Sequence, residues 1–210
     1  STLDRSSAAS DVYKRQEIQN TIKVMGGEDW ILWIKALKEA GVLADGAKTV
    51  AYSYIGPELT YPIYKEGSIG QAKKDLYASA DKIQAEIDGV EAYVSVTKAV
   101  VTQSSAAIPI VPLYLAILFK VMKEQKVQEG CIEQMYRMIH DRLCNGGAVV
   151  TDENRLIRMD DWEMEPKVQE AVAEIWQKID QDNLEEVTDL EGYWQEFYEI
   201  FGFRIDGVDY

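Results

Sequence analysis

The feature that most constrains the fold is a strand–helix–strand succession over residues 48–101. Residues 48–55 (KTVAYSYI) are rich in β-branched and aromatic side chains and are followed by a Gly-Pro pair, and residues 91–101 (EAYVSVTKAVV) have the same character. Residues 68–87 between them predict a helix. Two strands joined by a long helix are typical of a βαβ unit, so we predict a parallel sheet and an α/β fold.

Two strands alone cannot form a stable doubly wound sheet, and neither one follows a G-x-G-x-x-G or Walker-type loop. The pattern therefore predicts either the later half of a larger α/β protein or a domain that pairs with another chain. Gly26 and Gly27 precede a helix and could cradle a phosphate, but no strand precedes them. A turn into the helix is the favoured interpretation.

The remaining chain is predicted to be mainly helical. The segment GGEDWILWIKALKEAG places Trp30, Trp33, Ile34 and Leu37 on one face of an amphipathic helix, which we expect to point into the core. Further helices are predicted at residues 113–124, 131–143, 166–179 and 190–201, with a short β-prone interruption at residues 146–160. Residues 1–16 have no apolar periodicity, so we expect a foreign or disordered leader followed by a folded portion over 17–210.

Charge excludes several functions. The chain has 22 Lys and Arg against 36 Asp and Glu, a formal net charge of −14, which disfavours binding to nucleic acid or to an anionic membrane surface. Residues 99–119 carry no charge, but polar side chains interrupt them and only 106–119 are strictly apolar, which suits a buried helix better than a membrane span. We expect four acidic residues to lie on solvated helix surfaces: Glu163, Glu165, Glu185 and Glu186.

Cysteine and histidine are scarce. Cys131 and Cys144 lack the paired spacing of a disulfide framework or a zinc site, so we predict no metal and a reducing, cytoplasmic location. His140 is the single histidine and lies in a helical pattern, where a structural or surface role is favoured over a chemical one.

The loop after the first strand carries the candidate chemistry. Ligands of open parallel sheets bind beyond the carboxyl ends of the strands. A tyrosine there can donate a proton to a developing oxyanion, and a nearby ammonium group can lower the pKa of its phenol. Tyr64 and Lys73 are candidates for such a pair. Spacing alone is weak evidence, because Tyr114 and Lys123 repeat it on opposite faces of one predicted helix, and a packed loop tyrosine beside a solvated lysine gives the same pattern.

Several longer strings resemble one family: VMGGEDW, GVLADGAKTVAYSYIGPELT, VVTQSSAAIPIVPLYL, KVMKE, EGCIEQ and FGFRIDGVDY. Together with the loop from Tyr64 to Lys73, they resemble the bacterial single-chain trans-2-enoyl-CoA reductases and the related NADH-dependent enoyl-acyl-carrier-protein reductases. The resemblance runs from Glu17 to Tyr210 and covers the C-terminal half of that family.

The resemblance implies the later half of an enlarged Rossmann sheet of the short-chain dehydrogenase type, with a helical part on the substrate side. Its signature is a Tyr-x8-Lys pair, which Tyr64 and Lys73 match. By resemblance, Tyr64 donates the proton and Lys73 binds the nicotinamide ribose. Tyr54 contacts substrate. The segment Val101, Thr102 and Gln103 meets the nicotinamide.

The implied activity is reduction of the 2,3 double bond of a trans-2-enoyl thioester by NADH in fatty acid biosynthesis, by a cytoplasmic, monomeric enzyme. The acyl carrier could be coenzyme A or acyl carrier protein. The family's glycine-rich dinucleotide loop belongs to its N-terminal half, so we expect the present chain alone to be an inactive fragment. Two alternatives stay open: a carbonyl-reducing short-chain dehydrogenase, and a non-catalytic binding module that uses the Trp30 and Trp33 face.

Overall fold

The structure, a computed structural model, describes residues 2–108 and 110–209, with side chains described from residue 14 onwards. The chain forms two compact units. The first comprises Ser1–Val96 with Thr151–Ile157, and the second comprises Thr97–Val150 with Arg158–Tyr210.

The first unit contains the predicted βαβ succession. Its elements in chain order are α1 (Thr2–Met25), α2 (Glu28–Glu39), β1 (Ala47–Ser53), a 3-10 turn (Glu58–Thr60), α3 (Tyr61–Tyr64), α4 (Ser68–Glu86), β2 (Val90–Val96) and the start of β3 (Leu156–Arg158).

The sheet confirms the predicted α/β class. Strand β1 pairs in parallel with β2, in register from Ala47 opposite Val90 to Ser53 opposite Val96. Helix α4 connects the two strands, and β3 extends the sheet in the order β1-β2-β3. The carboxyl ends of β1 and β2 therefore lie at the same edge of the sheet.

The second strand ends earlier than the sequence predicts. Strand β2 stops at Val96, not at residue 101. Beyond it, the main-chain N–H groups of Lys98 and Ala99 donate to the side chains of Gln134 and Glu163 instead of to a neighbouring strand. The β-prone composition of residues 97–101 gave no indication of these partners, because they lie far away in the sequence.

The core of the first unit lies between the helices and the sheet. Ile34 of α2 and Ile83 of α4 pack with the buried side chains of β2, with Trp30 and Leu37 half-buried against them. Trp33, which we expected in this core, is 68% exposed. At 100° per residue, the core-facing sector of α2 is centred on Ile34, and Trp33 lies about 40° outside its edge at Leu37.

Residues 2–16 form the first part of α1, which continues unbroken to Met25 and packs along α4. That they are a foreign or disordered leader stays a prediction. Ser1 lies outside the described residues. Gly26 and Gly27 join α1 to α2 as a turn. The N–H of Gly27 donates to the carboxylate of Asp75 at 2.9 Å, so a carboxylate occupies the position that a phosphate cradle would need.

The second unit is largely helical, as predicted. Its elements are α5 (Gln103–Ala106), α6 (Ile110–Glu124), α7 (Cys131–Arg137) with a following π-helical turn (Met138–Leu143), α8 (Pro166–Lys178), α9 (Leu184–Val187) and α10 (Leu190–Glu199). Helix α6 is buried along most of its length. Within the described part of the chain, no helix is long and apolar enough to cross a bilayer.

Substitutions at Ile34 and Leu32 test the orientation of α2. Ile34 is 6% exposed and Leu32 is 58% exposed. We expect Ile34→Ala to lower the free energy of unfolding by about 2–4 kcal/mol, because it leaves a cavity in the core. The matched control Leu32→Ala should change it by less than about 0.5 kcal/mol. Urea unfolding followed by circular dichroism measures both, and equal effects would contradict this orientation.

Candidate active site

The chain turns sharply where β1 ends, and this turn fixes Tyr54. Strand β1 finishes at Ser53, and Gly56 follows with φ +71°. This left-handed conformation favours glycine. A Cβ at residue 56 would also overlap the Tyr54 hydroxyl and the Thr60 side chain. Glycine at this position therefore allows the Tyr54 ring to fold over the turn.

A second glycine brings Tyr64 to Lys73. Tyr64 is the last residue of α3, and α4 begins four residues later. Gly70, in the first turn of α4, is buried, and a Cβ there would overlap the carbonyl oxygen of Lys65. The end of α3 can therefore approach the first turn of α4, next to the turn that carries Lys73.

Tyr54, Tyr64 and Lys73 lie together as a result. The two tyrosine rings are 5.0 Å apart between centroids and meet edge to face at 85°. The Lys73 Nζ lies 4.7 Å from the centroid of the Tyr64 ring and 5.8 Å from that of Tyr54. It also donates a hydrogen bond to the main-chain carbonyl oxygen of Tyr54. One ammonium group thus contacts both candidate tyrosines.

Burial changes the acid–base properties of the pair. It lowers the pKa of Lys73 to about 8, so most of this ammonium remains charged at neutral pH. Burial raises the pKa of Tyr64 above its ordinary value of 10.0. The pKa of the phenol is therefore raised, not lowered, and burial is its cause. Tyr64 stays a neutral O–H donor, which can stabilise a developing negative charge by hydrogen bonding.

Tyr77 supports this arrangement, and sequence reasoning missed it. It lies one turn after Lys73 on α4, and its hydroxyl forms a hydrogen bond of 2.9 Å with the hydroxyl of Ser53, the last residue of β1. The bond fastens α4 to the strand end beside the candidate pair. The i, i+4 spacing of Lys73 and Tyr77 is the sequence signal that could have indicated it.

The other candidate residues belong to the second unit. Val101 is buried, whereas Thr102 and Gln103 are exposed. Thr102 caps α5 in a reciprocal capping box with Ser105. The approach of this segment to a nicotinamide stays a prediction.

The acidic residue Glu163 does not lie on a solvated surface as we expected. Its side chain is fully buried in the second unit, where it accepts hydrogen bonds from Ala99 and Tyr114.

His140 is exposed, bonded to Asp141 and stacked on Tyr136. Among the side chains that the structure describes, residues 14–108 and 110–209, no group of three His, Cys, Asp or Glu residues could hold a metal ion.

Two family models match the chain. The trans-2-enoyl-CoA reductase catalytic region matches residues 4–144, and the enoyl reductase FAD binding domain matches residues 151–210.

The relatives agree with the first of these families, the trans-2-enoyl-CoA reductases. The chain is 56% identical to the trans-2-enoyl-CoA reductase of Euglena gracilis over 93% of its length and 36% of the relative. It is 55% identical to the NADH enoyl-acyl-carrier-protein reductase of Psychromonas ingrahamii, again over 93% of its length and 50% of the relative. The solved Treponema denticola trans-2-enoyl-CoA reductase in complex with NAD matches with a TM-score of 0.88 and 49% identity, over 91% of this chain and 48% of that one. The chain thus spans half or less of each relative's length.

Residues 151–210 match the enoyl reductase FAD binding domain, but their composition does not suit a flavin dinucleotide. Residues 151–210 hold 18 acidic side chains against 5 basic ones, which repels a pyrophosphate. They also hold no glycine-rich turn between a strand and a helix. Each basic side chain forms an ion pair with a carboxylate: Arg155, Arg158, Lys167, Lys178 and Arg204.

The pKa of Lys73 makes a prediction for stability. Between pH 8 and pH 10.5 the unfolded chain binds more protons at this residue than the folded chain, so the contribution of Lys73 to the stability of the unsubstituted protein should rise with pH. Lys73→Met removes this dependence. Its free energy of unfolding relative to the unsubstituted protein should therefore fall by about 2 kcal/mol across this range.

Urea unfolding at several pH values measures the effect. Lys74→Met is the matched control, since Lys74 is exposed and next in sequence. The control should run parallel to the unsubstituted protein. A parallel curve for Lys73→Met as well would show that burial does not depress the pKa of Lys73.

Proposed function

The chain belongs to the trans-2-enoyl-CoA reductase family, and on that basis we propose that it forms the C-terminal part of an enzyme that reduces trans-2-enoyl thioesters with NADH. The observation that carries the proposal is the neutral Tyr64 phenol beside the Lys73 ammonium at the carboxyl end of β1. A donor paired with a cation suits a reaction in which negative charge develops on a carbonyl oxygen.

Tyr64 and Lys73 have distinct roles in the proposed mechanism. NADH, when bound, supplies the hydride that is added to Cβ of the thioester. The Tyr64 hydroxyl donates a hydrogen bond to the thioester oxygen, where negative charge accumulates as the double bond is reduced. The Lys73 ammonium adds a positive potential at the same place and fixes the turn through the Tyr54 carbonyl. Tyr64, the proton donor implied by the resemblance, then supplies the proton that completes saturation at Cα and regains a proton from solvent.

The candidate residues also have proposed roles in binding the cofactor and the substrate. Lys73 would bind the nicotinamide ribose, and Val101, Thr102 and Gln103 would meet the nicotinamide. Tyr54, whose ring packs edge to face on Tyr64, would contact the acyl group. Within the described residues, no glycine-rich turn links a strand to a helix as a pyrophosphate site requires. We propose that a preceding N-terminal half supplies that site.

The names of the relatives include both coenzyme A and acyl-carrier-protein reductases, so we propose an enoyl thioester of either carrier as the substrate class and fatty acid biosynthesis as the setting. A cytoplasmic location is supported by Cys131 and Cys144, which are both free and exposed. A monomeric enzyme stays a prediction.

Tyr64→Phe tests the role of the phenol. In a full-length enzyme, made by placing this chain after the N-terminal half of the Psychromonas ingrahamii relative, we expect kcat with crotonyl-CoA to fall about 10²–10³-fold. NADH affinity should be nearly unchanged, since the ring and Lys73 remain. Tyr61→Phe, three residues earlier in α3, is the matched control and should keep its activity. Unchanged turnover in Tyr64→Phe would contradict the proposed role.

The isolated chain gives a second prediction. Because the described residues hold no pyrophosphate site, the isolated chain should not oxidise NADH when crotonyl-CoA is added, whereas the full-length enzyme should. Loss of NADH absorbance measures both. Turnover by the isolated chain would contradict the proposal that a preceding half is required. A full-length enzyme that reduces a simple ketone but not crotonyl-CoA would contradict the proposed substrate class.

A further inference from the structure

Residues 97–102 form a connection with no helix or strand of its own, and three of its residues are buried. They follow β2 and lead directly into α5. Lys98, Ala99 and Val101 are each less than 9% exposed. Buried main-chain N–H groups need partners, and here no neighbouring strand supplies them. Whatever binds these groups determines where the following residues lie.

Glu163 is the partner of Ala99. Its Oε2 accepts the Ala99 N–H at 2.7 Å, and its Oε1 accepts the Tyr114 hydroxyl at 2.6 Å. The side chain is fully buried, and Gln169 donates to the main-chain oxygen of Glu163 at 2.7 Å. Both carboxylate oxygens are thus engaged and the residue is itself held in place. A buried carboxylate is costly unless it is satisfied in this way.

Lys98 strengthens the same connection. Its N–H donates to Gln134 Oε1 at 2.9 Å, and its Nζ donates to the Ala99 carbonyl oxygen at 3.0 Å. The ammonium also lies 5.3 Å from the centroid of the Phe119 ring. Burial lowers the pKa of Lys98, and the negative charge of Glu163 is the largest influence opposing that shift. The charges of Lys98 and Glu163 therefore favour each other inside the second unit.

We propose that Glu163 is a positioning residue for the nicotinamide-binding segment: by fixing the main chain at Ala99, it sets the place of Val101, Thr102 and Gln103. This inference rests on the proposed function, because that function gives the segment its role. The distance along the chain is short, with one residue between Ala99 and Val101. Loss of the carboxylate removes the acceptor of the Ala99 N–H and of the Tyr114 hydroxyl, and it removes the negative charge that favours the Lys98 ammonium.

The first test is steady-state kinetics in the full-length enzyme described above. Glu163→Ala should raise KM for NADH about tenfold or more, the loss expected for a hydrogen bond to a charged group. KM for crotonyl-CoA should change by less than about twofold, because Glu163 acts on the segment proposed to meet the nicotinamide. Glu163→Gln should restore much of the NADH affinity, because its amide oxygen can still accept the Ala99 N–H. Glu170→Gln, an exposed position on α8, is the matched control and should leave both constants unchanged.

The second test separates positioning from general support of the fold. Hydrogen exchange of the present chain should show faster exchange at residues 97–103 in Glu163→Ala, with protection retained along α6. An unchanged KM for NADH in Glu163→Ala would overturn the inference. So would a parallel loss for both substrates, or a loss of protection throughout the second unit. An unsubstituted full-length enzyme without activity would instead contradict the proposed function itself, a result that the Glu163 variants cannot imitate.

Discussion

The contact between the Lys73 ammonium and the Tyr54 carbonyl oxygen is the interaction on which the candidate site depends. Burial disfavours the charged form of Lys73, and the carbonyl oxygen and two aromatic rings compensate in part. The contact joins α4 to the residue that follows β1, and Gly70 lets α3 approach closely enough to place Tyr64 beside them. The result is a neutral phenol next to a cation, which is the combination that the proposed reduction needs.

The sequence predicted the elements whose signals are local. The bounds of β1 and α4 agree with the predictions to within two residues, because β-branched runs, helical periodicity and a Gly-Pro pair act over short distances. The βαβ pattern then dictated parallel pairing. The approach of Tyr64 to Lys73 was also foreseeable, since a loop with glycine can fold back over the helix that follows it.

Properties that depend on the surroundings were not predictable. The pKa of Tyr64 is raised rather than lowered because the phenol is buried. Trp33 is exposed because the core-facing sector of α2 is centred on Ile34, which leaves Trp33 outside it. Glu163 looked like one more surface carboxylate in an acidic segment, yet it binds the main chain 64 residues earlier in the sequence. No local pattern distinguishes such a residue from its solvated neighbours.

The most direct test of this account is the titration of the Tyr64 phenol itself. Tyrosine labelled with carbon-13 at Cζ can be incorporated into the chain, and the Tyr64 signal can be assigned by its absence from the spectrum of Tyr64→Phe. The account predicts a midpoint above the ordinary tyrosine pKa of about 10, so that Tyr64 is a protonated donor throughout the physiological range. A midpoint near neutral pH would show that Lys73 stabilises the phenolate, and would contradict the neutral-donor arrangement at the centre of the proposed chemistry.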